Sequence, residues 1–195
     1  MLVYGVDRLM NMAIERKGFH GAKLALFVGD KLAVILRDNK PNIPSPNHLD
    51  MPGGGREGCE TPLECVMCET YEEVNIHVDS VAVVWGKRFP YPDGNRWFFV
   101  AWVDEAVANT IILGDEGQTW GLKAPEEYAG LANNIVRFSG RLKIYLSVIE
   151  CYFFERPPLD ERGELTNLGK AGFVGEYHLL HLSTTTARNY LVSNT

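Results

Sequence analysis

The 195-residue sequence has no run of about 18 or more apolar residues, which excludes an ordinary transmembrane helix. Its N-terminal stretch MLVYGVDRLMNMAIERK lacks the order of basic, apolar and small-residue segments that marks a secretory signal. The formal net charge is −6 at pH 7, whereas a nucleic-acid-binding surface needs a basic patch that replaces counterions. We therefore expect a cytoplasmic protein that binds neither a membrane nor a nucleic acid polymer.

The sequence also lacks the motifs of several other common metal-binding and catalytic sites. It has four cysteines; Cys65 and Cys68 form a C-x2-C pair, but no second pair follows at the spacing of a zinc site. The five histidines form no ligand pattern with them. Neither a G-x-S-x-G elbow nor a G-x-x-x-x-G-K-[ST] loop occurs, which removes the commonest serine hydrolases and P-loop proteins. Free thiols in a reducing compartment are the expectation.

Residues 53–76, GGGREGCETPLECVMCETYEEVNI, join a glycine-rich turn to a predicted helix that carries Glu69, Glu72 and Glu73. Residues three and four apart lie on one side of a helix, so the three carboxylates are neighbours that repel one another. Oxygen ligands that meet the cation together with substrate phosphates are the usual way in which proteins hold Mg²⁺. The pattern predicts either such a metal site against a phosphate chain or a solvated acidic stripe.

The start of this helix is well marked in the sequence. Thr61 can cap it, Pro62 suits the first helical position, and Glu64 completes a capping box with Thr61. The preceding glycines have no side chains, so their backbone can take unusual dihedral angles and approach a ligand closely. The helix therefore presents its acidic side at a defined distance from the glycine turn.

This segment resembles the signature of the Nudix hydrolase family (MutT-like hydrolases), G-x5-E-x7-R-E-U-x-E-E-x-G-U, where U is a bulky aliphatic residue. Three positions depart from it: Cys68 replaces the arginine, Thr70 an aliphatic residue and Asn75 the glycine. Asparagine suits a left-handed helix end, so the last change is mild. The matching positions are Gly54, Glu60, Glu69, Glu72, Glu73 and Ile76.

The Cys68 departure leaves two functions open. In the family that arginine helps to orient the catalytic glutamates, and a thiol offers neither its charge nor its forked donors. One function is a working hydrolase; the other is a catalytically impaired Nudix-fold module that binds or senses a nucleotide. The retention of all three helix glutamates favours the hydrolase, because a pure binder has little reason to keep repelling charges together.

The resemblance implies hydrolysis of a diphosphate linkage in a nucleoside di- or triphosphate derivative, by attack of water at phosphorus. It implies Mg²⁺ as the cofactor, with Mn²⁺ as a substitute, and a small-molecule nucleotide substrate. Homodimers are common among relatives, so a homodimer is a further expectation. The implied metal ligands are the Gly53 carbonyl, Glu69, Glu72 and Glu73, with Glu69 or Glu72 as general base.

Outside the signature, the resemblance indicates two further glutamates. Glu116 stands in a loop before Trp120 and resembles a family glutamate that adds a metal ligand or positions water; the alternative is an exposed loop carboxylate. Glu60 is expected to support the loop rather than to bind metal. Substrate contacts are expected near loops and strand ends, although each candidate is otherwise an ordinary surface or core residue: Arg37, His48, Arg88, Tyr91 and Trp97.

The order of elements predicts an α/β fold in which a mixed sheet lies between helices, as the resemblance also implies. The predicted strands are 22–28, 31–37, 80–89 and 96–103, and the predicted helices after the signature are 125–131 and 134–147. We divide the chain into an N-terminal extension (1–19), a Nudix domain (20–155) and a C-terminal extension of unknown role (156–195).

Overall fold

The computed structural model describes residues 18–153. The C-terminal extension predicted at 156–195 lies outside the described residues, as does most of the N-terminal extension, so the proposed division of the chain stays a prediction. None of the helices in the described part of the chain is both long and apolar enough to cross a membrane.

Within residues 18–153, six strands form one mixed sheet in the order β3-β2-β1-β5-β4, with β6 also pairing with β2. Strands β1 and β5 are parallel, and every other pair in this sheet is antiparallel. The parallel pair sits at the centre and is buried on both faces, which is the usual environment of parallel strands. The strands are β1 Phe19–Val28, β2 Lys31–Leu36, β3 Leu49–Asp50, β4 Val83–Phe89, β5 Asn95–Val103 and β6 Thr119–Lys123.

Helices cover both faces of the sheet, which confirms the predicted fold class. Helix α1 (Pro62–Val74) packs on one face through a cluster that includes Leu63 and Val66. Helices α2 (Pro125–Gly130) and α3 (Val136–Phe153) cover the other face. Successive side chains of a strand point to opposite faces of the sheet, so alternate residues of the strands pack into one or the other of these two cores.

Most predicted elements are present, with shifted ends. The β1–β2 hairpin turns at Gly29, whose φ of 63° suits a residue without Cβ. The strand predicted from residue 80 begins with a 3₁₀ turn at Ser80–Ala82, because Asp79 caps that turn through the N–H of Val81. Helix α3 runs beyond the predicted 134–147. Strands β3 and β6 were not predicted.

The glycine turn is attached to β1 by backbone hydrogen bonds. The N–H of Ala22 donates to the Gly54 carbonyl at 3.0 Å, and the N–H of Leu24 donates to the Pro52 carbonyl at 2.8 Å. Gly53 has φ of 118°, and a Cβ there would overlap the Ala22 carbonyl and the Lys23 backbone. Only glycine fits this position, so the turn and the start of α1 are held at a fixed place on the sheet.

Candidate metal and phosphate site

Both ends of helix α1 have the caps that the sequence predicts. The Thr61 hydroxyl accepts from the Glu64 N–H at 3.2 Å, and the Glu64 carboxylate accepts from the Thr61 N–H at 2.8 Å. Asn75 ends the helix in the left-handed conformation, with φ of 57°. The capping box and the left-handed asparagine are confirmed, so the helix glutamates have a well-defined frame.

Two of the three helix glutamates lie against the glycine turn. The Glu73 carboxylate accepts a hydrogen bond from the Gly53 N–H at 2.7 Å. The Glu69 carboxylate lies so close to Gly54 that a Cβ on this glycine would overlap it. The turn and the helix therefore bring two carboxylates and a bare backbone segment together.

The third glutamate, Glu72, is exposed, and the Cys68 thiol lies 3.5 Å from its carboxylate in hydrogen-bonding geometry. Among the side chains of the described residues, no three of His, Cys, Asp and Glu meet in a metal-binding arrangement. Repulsion between unscreened carboxylates opposes such a meeting. Mg²⁺ usually takes only one or two carboxylates and fills its remaining positions with water and phosphate oxygens. The pair of Glu69 and Glu73 fits that mode of binding.

The charges of this pair are poorly compensated by the protein alone. Burial raises the pKa of Glu69 to about 7, with the Glu72 charge adding to the shift. Burial likewise raises the pKa of Glu73 to about 7. The positive charge of Lys23 opposes both shifts without cancelling them. A divalent cation would supply the missing positive charge, so the donor set fits a metal site chemically.

Lys23 and Asp50 belong to this site, and the sequence analysis missed both. Lys23 Nζ donates to Asp50 Oδ2 at 2.9 Å and to the Met51 carbonyl at 2.9 Å. Asp50 is 3% exposed and also accepts from Arg37 at 2.8 Å. A lysine inside an apolar strand was the available signal, since strands of this kind seldom contain an unpaired charge.

The loop that carries Glu116 lies beside the end of α1. Gly114 donates its N–H to the Glu73 carbonyl at 2.9 Å, which attaches the loop to the helix. Glu116 is exposed, and its charge is one of the weaker influences that raise the pKa of Glu69, after burial and Glu72. Glu116 thus lies at the edge of the acidic site, and its role in metal binding or water positioning stays a prediction.

Glu60 and Glu57 hold the loop between the glycine turn and α1. The Glu60 carboxylate accepts from the Glu57 N–H at 2.9 Å. This contact supports the loop and does not involve the glycine turn. Glu57, which the sequence analysis did not single out, is exposed, and its charge also acts on Glu69.

The predicted substrate residues fall into different environments. Arg37 and His48 lie near each other, because the Arg37 N–H donates to the His48 carbonyl at 3.0 Å, and Arg37 reaches the site through Asp50. Arg88 is exposed on β4, and Tyr91 is 44% exposed in the turn before β5.

Trp97 is a core residue. It is 3% exposed and stacks on Phe99 with 5.6 Å between the ring centroids. Both rings belong to the apolar cluster beneath α1, because alternate residues of β5 face that helix. Its ring therefore has no open face for a nucleobase, and of the two aromatic candidates only Tyr91 is accessible.

Residues 19–142 match the family model of the NUDIX domain. A binary complex of C. elegans Ap4A hydrolase is similar in structure with a TM-score of 0.53 and 17% identity, over 67% of this chain and 98% of that chain. The E. coli ORF135 protein has a TM-score of 0.51 and 13% identity, over 67% and 91% of the respective chains. At these identities the two structures show a shared fold. No curated protein sequence matches the chain.

Proposed function

Because the chain belongs to the Nudix family, whose members are pyrophosphohydrolases acting on phosphoanhydride bonds, we propose that it is a Mg²⁺-dependent hydrolase of a nucleoside di- or triphosphate derivative. The observation that carries this proposal is the contact of two helix carboxylates with the glycine turn, Glu73 with the Gly53 N–H at 2.7 Å and Glu69 against Gly54. Product release from nucleotide derivatives in the presence of Mg²⁺ is the test.

Glu69 and Glu73 would hold the cation, with the Gly53 carbonyl and Glu72 as further oxygen donors. When bound, Mg²⁺ (or Mn²⁺) would neutralise phosphate oxygens and lower the pKa of a bound water. The proximity of the bare glycine backbone lets a phosphate chain approach without meeting side chains. Substrate phosphates would complete the coordination, as is usual for Mg²⁺ in proteins.

Water attacks one phosphorus of the linkage, its proton passes to a glutamate, and the bond from phosphorus to the bridging oxygen breaks. A glutamate that is free of the cation would serve as the base. The place of Glu69 over Gly54 supports it in this role, and exposed Glu72 is the other candidate. Glu116 would orient the water from the edge of the site.

We assign Lys23 to a phosphate oxygen of the substrate. Its ammonium is held by Asp50 Oδ2 and the Met51 carbonyl, both at 2.9 Å, and its charge opposes the raised pKa values of Glu69 and Glu73. An ammonium has three donors, so one N–H remains after these two bonds. We assign that donor to the substrate, which also explains why a lysine interrupts the buried surface of β1.

Metal binding can be measured without turnover. The pKa of Glu73 is raised from an ordinary value of 4.5 to about 7, so the metal-free folded state binds more protons than the unfolded state between these pH values. The free energy of unfolding should therefore fall as the pH rises through this window. Mg²⁺ needs the deprotonated carboxylates, so it should raise the melting temperature more at pH 8 than at pH 6. Glu73→Gln should weaken both the pH dependence of stability and the stabilisation by Mg²⁺. A melting temperature at pH 8 that does not change when Mg²⁺ is added would contradict the proposed ligands.

The second candidate, a module that binds a nucleotide without cleaving it, is favoured by one observation. Cys68 stands where the family has arginine, and its thiol offers Glu72 only a weak contact at 3.5 Å. An arginine at this exposed position could donate two charge-assisted hydrogen bonds to the Glu72 carboxylate.

Cys68→Arg therefore separates the two candidates. If the chain is a hydrolase slowed by the missing arginine, the variant should raise kcat by up to about tenfold. This corresponds to an activation free energy lowered by about 1.4 kcal/mol through better orientation of Glu72. Cys68→Ser is the control, since it changes the thiol without adding charge, and it should leave kcat near the wild-type value. A chain that has lost hydrolysis for other reasons would bind nucleotide and release no product with either residue.

A further inference from the structure

Arg141, on the inner side of α3, is a buried cation that pairs with no buried anion among the described residues. It is 4% exposed, and within that part of the chain its guanidinium makes one hydrogen bond, to the Tyr91 hydroxyl at 3.0 Å. Of the ion pairs formed between side chains in residues 18–147, none includes Arg141. Buried charges are normally paired, and a guanidinium has five N–H donors. Partners within residues 18–147 therefore use only a small part of the hydrogen-bonding capacity of Arg141.

Aromatic rings surround the guanidinium. Its central carbon lies 4.4 Å from the Phe89 ring centroid and 5.4 Å from the Phe138 centroid. Ring faces attract a cation, but they do not replace acceptors in the plane of the guanidinium. The packing fixes the position of the Arg141 guanidinium, and its N–H groups can donate to the oxygen atoms of a bound ligand.

Other cations gather around the same rings. Arg96 lies 5.7 Å from the Tyr91 centroid, and Arg137 lies 4.9 Å from the Phe138 centroid. Lys87 adds a fourth positive charge, 5.9 Å from the Phe89 centroid. We call Lys87, Arg96, Arg137 and Arg141 the α3 basic cluster.

A single carboxylate contacts this cluster among the described side chains: Asp93 pairs with Arg96 at 2.8 Å. Counted over the described side chains, the cluster therefore keeps a net positive charge, whereas the formal charge of the whole chain is −6. Burial lowers the pKa of Arg141; the contact with Tyr91 opposes this shift, and the charges of Arg137 and Arg96 add to it. An anion at this place would relieve the repulsion and meet the unused donors.

The α3 basic cluster adjoins the proposed catalytic site. Lys23 Nζ lies 6.0 Å from the centroid of Phe138, the ring that Arg141 also contacts. Lys23 is paired in register with Phe98, whose ring lies 5.9 Å from the Arg141 guanidinium. Lys23 and the Arg141 guanidinium thus lie against the same buried ring, that of Phe138.

We propose that Arg141, Arg96 and the Tyr91 hydroxyl form a second phosphate site, which binds a phosphate of the substrate outside the cleaved linkage. The proposal rests on the proposed function and names its substrate class: a nucleotide derivative with at least one phosphate beyond the two that share the scissile bond. Dinucleoside polyphosphates belong to this class. ADP-ribose does not, because both of its phosphates belong to the cleaved linkage.

The test is calorimetric titration of the full chain with inorganic pyrophosphate in EDTA. Without metal, the acidic glutamates repel this anion, so the titration reports the α3 basic cluster. Arg141→Met should bind pyrophosphate at least about tenfold more weakly, because charge-assisted hydrogen bonds are lost. Lys143→Met is the matched control: it removes the same charge from an exposed position on the same helix and should bind as the wild type does.

Stability separates this role from a structural one. Replacing a buried unpaired charge by an apolar side chain is often neutral or stabilising, so Arg141→Met should melt at or above the wild-type temperature while losing pyrophosphate. Tyr91→Phe removes only a hydroxyl from an exposed ring and should weaken pyrophosphate binding severalfold. If Arg141→Met does not fold, this variant alone tests the second phosphate site. Equal affinity of wild type, Arg141→Met and Tyr91→Phe, or equal weakening by Lys143→Met, would overturn the proposal.

The two proposals fail in different ways. If the chain hydrolyses nucleotides and Arg141→Met leaves KM unchanged for a dinucleoside tetraphosphate, the second phosphate site is wrong and the hydrolase stands. If the chain releases no product but binds pyrophosphate through Arg141, the hydrolase is wrong and the phosphate site stands. For a hydrolase with the second site, Arg141→Met should raise KM for the tetraphosphate about tenfold, with a much smaller effect on ADP-ribose.

Discussion

Replacing Glu73 by glutamine should lower kcat by about a hundredfold to ten-thousandfold without unfolding the protein. The amide oxygen can still accept the Gly53 N–H, which the carboxylate accepts at 2.7 Å, so the glycine turn keeps its anchor. The negative charge that would hold the cation is lost. Steady-state rates at saturating Mg²⁺ measure the effect, and the melting temperature shows whether the fold is retained.

Glu105→Gln is the control for this experiment. Glu105 is an exposed glutamate in the 3₁₀ segment Glu105–Thr110, beside the β1–β2 turn, and its loss removes the same charge. Its kcat should match the wild type. A Glu73→Gln enzyme with wild-type kcat would remove Glu73 from the metal site.

Alanine at Gly54 should abolish most activity through a single added methyl group. The new Cβ would overlap the Glu69 carboxylate, which lies at the end of a flexible side chain and must therefore move away. Misplacement of a catalytic group by about 1 Å can cost about a hundredfold in rate, so we expect a fall in kcat of that order. Because the glycine is not in the left-handed region, the melting temperature should change little.

The next residue gives a matched control. A Cβ on Gly55 would meet nothing closer than the His20 carbonyl at 4.0 Å, and Gly55 has no positive φ. Gly55→Ala should keep most of the activity. If Gly54→Ala and Gly55→Ala are equally active, the Glu69 carboxylate does not need its place over the glycine turn.

Local features of the site could be predicted from the sequence because they depend on short-range physics. The capping box of Thr61 and Glu64, and the left-handed Asn75, each involve residues within one turn of helix. The glycine turn is specified by residues that lack side chains. The family match over residues 19–142 confirms the resemblance of this segment to the Nudix family.

Contacts between distant segments could not be predicted in the same way. Lys23 meets Asp50 across 27 residues, and Arg141 meets Tyr91 across 50 residues, so both contacts depend on strand pairing and on the docking of α3. No local pattern specifies these alignments. The burial of Trp97 also depends on the sheet, because its position next to a turn suggested exposure while the alternation of β5 places it in the core.

Short strands were missed for a related reason. Strand β3 has two residues, and β6 has five that include a glycine and a lysine. Neither segment shows the alternation of apolar and polar residues that predicts a strand from sequence. Each is extended because it forms backbone hydrogen bonds with β2. The pairing holds β3 and hence Asp50 beside Lys23, so elements with weak sequence signals position part of the candidate site.

Product analysis in ¹⁸O-labelled water is the most direct test of Mg²⁺-dependent hydrolysis at phosphorus. The panel contains a nucleoside triphosphate, a sugar nucleotide, ADP-ribose and a dinucleoside tetraphosphate, each incubated with the full chain in Mg²⁺ and in EDTA. We expect a nucleotide product and a complementary phosphate product in Mg²⁺ but not in EDTA, and one of the two products should carry the label on phosphorus. Nucleotide binding without any product in Mg²⁺ or Mn²⁺ would contradict the proposed hydrolysis and leave a nucleotide-binding module.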